Sequence, residues 1–298
     1  MMPLITLNDE TSIPQLGFGT LHVPPRAQPS RQDLTEAAAI IGRALRAGYR
    51  HIDTAQMYGN EQAVGEAIAA SGIARDELYV TSKLDNGHHR PDDVRRSFDA
   101  SLGKLGLDYL NLFLIHWPLP GSYGGDYVST WKAMTALVAD GRLRTAGVSN
   151  FQPAHLDRII GETGVVPAVN QIEVHPYFSN RAARAASARR GIAVEAWRPL
   201  GRGKVLDDPV IGRIAAATGK SSAQVTLRWH IQHGWITFPK STRAERMEEN
   251  IDLFDFALSA AQVASVDALD QGAAGRIGPD PDTWNGSAGE AGTLGDSA

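Results

Sequence analysis

The chain has 298 residues, 43 % of them hydrophobic and 21 % charged, which is ordinary globular composition and enough apolar material for one large core. A formal net charge of −4 excludes a surface made to cover nucleic acid or an acidic membrane, so small molecules are the expected partners. The sequence contains 0 cysteines, which removes disulfide scaffolds, thiolate zinc sites and cysteine nucleophiles together.

Met1-Met2-Pro3-Leu4-Ile5 carries no basic region, and no run of ~18 apolar residues occurs anywhere. A soluble, cytoplasmic protein is expected, and a monomer, because nothing in the surface composition demands a dimer. Residues 4–7 alternate and lead through the turn cluster Asn8-Asp9-Glu10-Thr11-Ser12 to Ile13, which predicts a small hairpin ahead of the main fold. The first strand of that fold is expected over 15–20. After the Pro-rich loop 23–29, helical spacing over 33–47 stops at Gly48.

The unit then recurs. Strand 49–53 precedes helix 61–71, strand 78–82 precedes helix 91–105 with Pro91 in its first turn, and strand 110–115 precedes helix 128–140. In the second half, strand 144–148 precedes helix 153–163 and strand 167–172 precedes helix 180–190. Strand 192–196 is followed by helical segments between Pro209 and Gly234, and strand 235–238 by helix 243–254. Uninterrupted strand-helix alternation of this kind predicts an α/β fold, a single (β/α)8 TIM barrel spanning 1–298. An open doubly wound sheet is the alternative, but no G-x-G-x-x-G follows any strand. A last helical pattern runs from Leu258 to about Leu269. Residues 271–298 are rich in Gly, Ala, Asp and Ser, with Ile277, Trp284 and Leu294 as the core-forming exceptions, and are expected to form a draped or mobile tail.

Strand ends are where such a barrel keeps its chemistry. Asp53 and Tyr58 follow the strand at 49–53, Lys83 follows 78–82, and His116 follows 110–115. A tyrosine hydroxyl has an ordinary pKa near ~10; a neighbouring ammonium favours the phenolate, and a carboxylate would hold that ammonium in place. Asp53, Lys83 and Tyr58 together therefore suit proton delivery to a carbonyl oxygen, with His116 able to hydrogen-bond the same oxygen. No nucleophile-base-orienter row for acyl transfer is present. Lys83 as the amine of a Schiff-base lyase or aldolase is the competing enzymatic reading, and a cofactor-binding sensor with little turnover is the non-enzymatic one. His88-His89 lies in a polar loop without carboxylates at ligand spacing and is expected to be solvated, so no metal site is expected.

A second group follows the last strand, where barrels of this kind commonly bind phosphate with help from the next helix. Lys240, Ser241, Thr242, Arg243 and Arg246 offer cations and hydroxyls suited to a phosphomonoester. Ser149, Asn150 and Gln171 place hydroxyl and amide groups at two further strand ends, and Trp197 offers a flat platform for a planar ring.

Several stretches resemble the aldo-keto reductase family, most closely its bacterial diketogluconate-reductase-like members. They are Leu16-Gly17-Phe18-Gly19-Thr20, Asp53 through Glu61, Ser82-Lys83-Leu84, Leu105-Gly106-Leu107-Asp108-Tyr109 and Ile115-His116-Trp117-Pro118. Gly147-Val148-Ser149-Asn150-Phe151, Asn170-Gln171-Ile172-Glu173, Pro199-Leu200-Gly201 and Pro239-Lys240-Ser241 continue the match in order. The resemblance implies reduction of aldehyde and ketone carbonyls with NADPH, with Tyr58 as general acid, Asp53 and Lys83 tuning it, and His116 orienting the carbonyl. It also implies that Ser149, Asn150 and Gln171 hold the carboxamide and Trp197 stacks on the nicotinamide. Pro199, Leu200 and Gly201 join the cofactor site; Lys240, Ser241, Thr242 and Arg246 take the 2′-phosphate, and Glu249 and Asn250 the adenine. Leu21 stands where many members place an aromatic wall, and Arg198 stands where a small residue is expected. Leu21, Trp117, Tyr123, Tyr127 and Trp284 are the expected substrate-pocket residues.

Overall fold

Leu4–Thr6 (β1) and Ser12–Pro14 (β2) pair antiparallel as the expected hairpin. Leu7 and Ile13 are buried against Tyr79, Leu112, Leu114, Ile236 and Phe238, so the hairpin plugs the end of the barrel opposite the functional strand ends. The computed structural model describes residues 2–23 and 29–286. Most of the Pro-rich loop and the end of the tail, with Leu294, therefore lie outside the described residues.

The barrel strands are Phe18–Gly19 (β3), His51–Asp53 (β4), Tyr79–Leu84 (β5), Leu110–Ile115 (β6), Leu143–Ser149 (β7), Val169–Glu173 (β8), Ala193–Trp197 (β9) and Ile236–Thr237 (β10). They form one 8-stranded parallel sheet in sequence order. Closure comes from Leu16 pairing in parallel with Thr237, and from backbone bonds Gly17 N–H to Thr237 O and Thr237 N–H to Gln15 O. The first strand is thus shorter than the expected 15–20, because residues 15–17 serve the seam. A Cβ on Gly17 would lie 2.6 Å from Phe238 Cδ1, so the seam closes only without a side chain there.

The helical layer consists of Arg31–Arg46 (α1), Glu61–Ser71 (α2), Pro91–Leu105 (α3), Tyr127–Ala139 (α4), Pro153–Thr163 (α5) and Arg181–Ala188 (α6). Pro209–Thr218 (α7), Ser222–Gln232 (α8), Ala244–Ile251 (α9) and Ala260–Asp267 (α10) complete it. Helix α1 starts earlier than 33 because Ser30 and Asp33 form a reciprocal capping box. The region 209–234 is two helices: Gly219 takes a left-handed conformation that ends α7, and the Ser221 hydroxyl caps α8. Ser259 caps α10 in the same way, so that helix begins after 258.

The described part of the tail lies against the barrel. Gln271 N–H bonds Tyr177 O at 2.9 Å, and the Ile277 and Gly278 amides donate to the two oxygens of Glu173 at 2.7 and 2.8 Å. Trp284 is only 5 % exposed. The tail supplies little apolar area but finds a buried carboxylate that needs donors.

Candidate active site

Parallel pairing brings the strand-end groups together. Asp53 on β4 is in register with Thr81 on β5, and Lys83 on β5 with Leu114 on β6, two residues before His116. Lys83, fully buried, donates to Asp53 Oδ1 and Oδ2 at 2.7 and 2.8 Å, to Thr54 O at 2.9 Å and to Tyr58 Oη at 3.4 Å. Tyr58 sits on a 3-10 turn, Gln56–Tyr58, closed by Gly59 at φ 69°, and its ring meets His116 edge-on at 5.8 Å between centroids. Asp53, Tyr58, Lys83 and His116 thus share one mouth.

The charges of these groups follow from dryness. Burial alone would lower the Lys83 pKa, but Asp53, Tyr58 and Glu195 together outweigh it and the net displacement is upward, so Lys83 is a cation. Burial and the charge of Lys83 push His116 well below the ordinary imidazole value, so its ring is neutral. Tyr58 departs from the expected direction. Lys83 does pull its pKa down, yet burial pushes it up more strongly and Asp53 adds to that, leaving the phenol protonated.

Beneath this group lies a residue that the motifs do not contain. Gln171 Nε2 donates to Asp53 Oδ2 and to Glu195 Oε2, both at 2.8 Å, which links Lys83, Asp53, Gln171 and Glu195 in one buried chain. Burial and Asp53 raise the Glu195 carboxyl to about 8, against the opposing pull of Gln171 and Lys83. A lone glutamate inside the apolar run 192–197, in register with Gln171, is the sequence signal that marks it.

The residues expected around a nicotinamide converge but are partly engaged. Asn150, at φ 65°, donates to His116 O and Ser149 Oγ, and its Oδ1 accepts from Trp197 Nε1 at 2.9 Å. Ser149 Oγ donates to Gln171 O at 2.8 Å. Ser149 and Asn150 would meet a carboxamide only by exchanging a partner, whereas the Gln171 amide oxygen accepts no hydrogen bond among the described residues. Pro199 O is bonded by His230, and Gly201, at φ 53°, packs against Val205 and His175.

At the far end, Lys240 and Arg246 are exposed and make no ion pair among the described residues. Ser241 is buried, its hydroxyl bonded to the Arg243 backbone, and Thr242 is exposed. Two unpaired cations beside the start of α9 fit a phosphate dianion. Glu249 accepts from the Ser221 hydroxyl and Asn250 is buried.

Of the expected pocket residues, Trp117 and Trp284 meet at 4.3 Å between centroids, with Leu119 and Trp197 against them. Tyr123 donates its hydroxyl to Asn86 O and stacks on His89, and Leu21 is half-buried in the turn after β3. Tyr127 is a correction: it lies in the helix layer, edge-on to Phe151 and His155, because its place at the first residue of α4 turns it into the core. His89 is another. It is 2 % exposed under Tyr123, and burial lowers its pKa to about 4, while His88 remains exposed. No group of three or more His, Asp or Glu side chains among the described residues could hold a metal ion, and no helix among them is long and apolar enough to cross a membrane.

A dry mouth that holds a buried Lys83–Asp53 pair, a protonated Tyr58 and a neutral His116 at the strand ends of an eight-stranded barrel is suited to delivering a proton to a carbonyl oxygen. A profile of the aldo/keto reductase family matches residues 15–271, and the chain belongs to that family. An aldo-keto reductase of Mycolicibacterium smegmatis is 50 % identical over 285 residues, covering 96 % of this chain and 99 % of the relative. Methylglyoxal reductase DkgA of Yersinia pestis is 43 % identical over 287 residues, covering 95 % and 98 %. The crystal structure of a variant of Gox0644 in complex with NADPH superposes with a TM-score of 0.88 at 40 % identity, covering 95 % of this chain and 99 % of that one.

Proposed function

We propose that this chain reduces aldehyde or ketone carbonyls to alcohols with NADPH, and that Tyr58 delivers the proton. The observation that carries the reading is the Lys83 ammonium, held by both oxygens of Asp53 and reaching the Tyr58 hydroxyl at 3.4 Å. NADPH, which the Gox0644 variant binds, supplies a hydride to the carbonyl carbon when present. Tyr58 gives its proton to the carbonyl oxygen as negative charge develops there, and Lys83 stabilises the phenolate left behind. Asp53 keeps Lys83 in place. His116, neutral, offers one N–H to the same oxygen and brings no second proton that titrates near neutral pH.

Gln171, with its acceptor open, would take the carboxamide; Trp197 would stack on the ring. Lys240 and Arg246, with Thr242, would read the 2′-phosphate. The cationic state of Lys83 counts against a Schiff-base amine, which must be neutral to attack a carbonyl.

Titration with NADPH and NADH, followed by tryptophan fluorescence, tests the cofactor: tight NADPH and weak NADH binding is expected, and binding of neither would overturn the reading. Tyr58→Phe should leave NADPH affinity within about 2-fold and lower kcat at least ~100-fold. Equal activity would assign the proton to another group.

A further inference from the structure

Arg198 has no part in the chemistry above, and its position is costly. It follows β9 directly at φ 53°, a left-handed conformation that a non-glycine residue adopts only under constraint. Its guanidinium carbon lies 5.1 Å from the centroid of the Trp197 ring, and its Nη1 is buried without a hydrogen-bond partner. A guanidinium N–H removed from water and left unpaired destabilises the fold, and such a group persists where a ligand supplies the acceptor.

The neighbouring carboxylate does not supply it. Glu173 is occupied by the Ile277 and Gly278 amides and by His175, and it forms no ion pair with Arg198. Burial and the charge of Arg202 lower the Arg198 pKa to about 10, which leaves it a cation. Trp197, which it stacks on, donates to Asn150 Oδ1, and Asn150 donates to His116 O, so Arg198 stands on the His116 side of the mouth.

We propose that Arg198 binds a carboxylate carried by the substrate, so that the preferred carbonyl compounds are oxo acids. The proposal rests on the reductase reading above, since it places the carboxylate beside the carbonyl reduced at Tyr58. A planar guanidinium fixed against an indole can take both oxygens of a carboxylate at once, which a lysine cannot do. The other source of the same anionic chemistry is a phosphate oxygen of the cofactor.

The test uses the full chain and matched pairs: phenylglyoxylate with its methyl ester, and 4-carboxybenzaldehyde with its methyl ester. The native enzyme should prefer the acid in at least one pair. Arg198→Gln should lower kcat/KM for that acid 10–100-fold, mainly through KM, as expected for loss of a charge-assisted hydrogen bond, and should change the ester less than about 3-fold. Fluorescence titration should show the same loss in acid binding without turnover, and unchanged NADPH affinity. No acid preference in either pair, or equal losses for acid and ester, would overturn the proposal. A loss of NADPH affinity would assign Arg198 to the cofactor phosphates instead. Should Arg198→Gln fail to fold, Arg198→Lys replaces it, with a partial loss confined to the acid. Acid binding that depends on Arg198 in a protein unable to bind NADPH would overturn the reductase reading while leaving the carboxylate site standing.

Discussion

Glu195→Gln is expected to stabilise the protein, and to do so increasingly as pH rises. Glu195 is fully buried; one carboxyl oxygen accepts from Gln171 at 2.8 Å and the other has no partner. Burial, with Asp53 beside it, moves its pKa from 4.5 to about 8. In the unfolded chain the group loses its proton near 4.5, whereas the folded chain keeps it to about 8. Between those values the native state binds more protons, so this group's contribution to stability falls as pH rises, and it levels off above the folded pKa. At about 1.4 kcal/mol for each tenfold change in proton affinity, the full penalty is ~5 kcal/mol, of which ~3 kcal/mol is present at neutral pH. Glutamine keeps the volume and an acceptor for Gln171 but cannot ionise. Urea unfolding at pH 5, 7 and 9 should therefore place the variant within ~1 kcal/mol of the native chain at the lowest pH and ~3–5 kcal/mol above it at the highest. Stability curves that run parallel across this range would refute the assignment of a neutral, buried carboxyl to Glu195.

Lys83→Met should destabilise the fold by about 3–5 kcal/mol, because it leaves the Asp53 carboxylate buried without its cation. Adding Asp53→Asn should restore part of that stability but none of the rate; additive losses in unfolding experiments would show that the two residues are not coupled. Arg246→Ala should weaken NADPH by about 10–100-fold and NADH by less than about 3-fold, and equal effects in a binding titration would remove Arg246 from the 2′-phosphate site. Gly278→Ala places a Cβ 2.4 Å from Trp197 Cη2 and 2.8 Å from Glu173 Oε2. It should cost about 1–3 kcal/mol and red-shift tryptophan emission as the tail lifts; an unchanged spectrum would mean that the tail does not cover Trp197.

The parts of this molecule that were readable beforehand depend on neighbours in sequence. Strand-helix alternation, the stop at Gly48, and the placing of Asp53, Lys83 and His116 just after apolar runs are all local signals. Parallel order then turns them into one mouth. What was not readable depends on burial across long separations. The polar loop around His89 suggests solvation, yet Tyr123 stacks over it. Nothing in the tail's composition names Glu173 as the acceptor of its amides, because Glu173 is 104 positions away from Ile277 in the chain. The direction of the Tyr58 pKa is hidden from the sequence for the same reason. Lys83 and Asp53 can be named as neighbours from the sequence, but the burial that outweighs Lys83 exists only once the mouth is assembled.

That burial is also what makes the site selective for a single proton. A dry mouth favours the uncharged forms of Tyr58, His116 and Glu195, and each is displaced in the corresponding direction. Lys83 is retained as a cation because Asp53 meets it at 2.7 Å and Thr54 O accepts a further bond, while the Gln171 amide donates to Asp53. The result is a nearly neutral group in which His116 and Glu195 resist ionising near neutral pH. Charge arising on a carbonyl oxygen would then find one accessible proton, that of Tyr58, and one cation positioned to stabilise its departure, Lys83. The carboxylate site proposed at Arg198, whose Nη1 is buried without a hydrogen-bond partner, would add an attraction for substrates that carry their own negative charge.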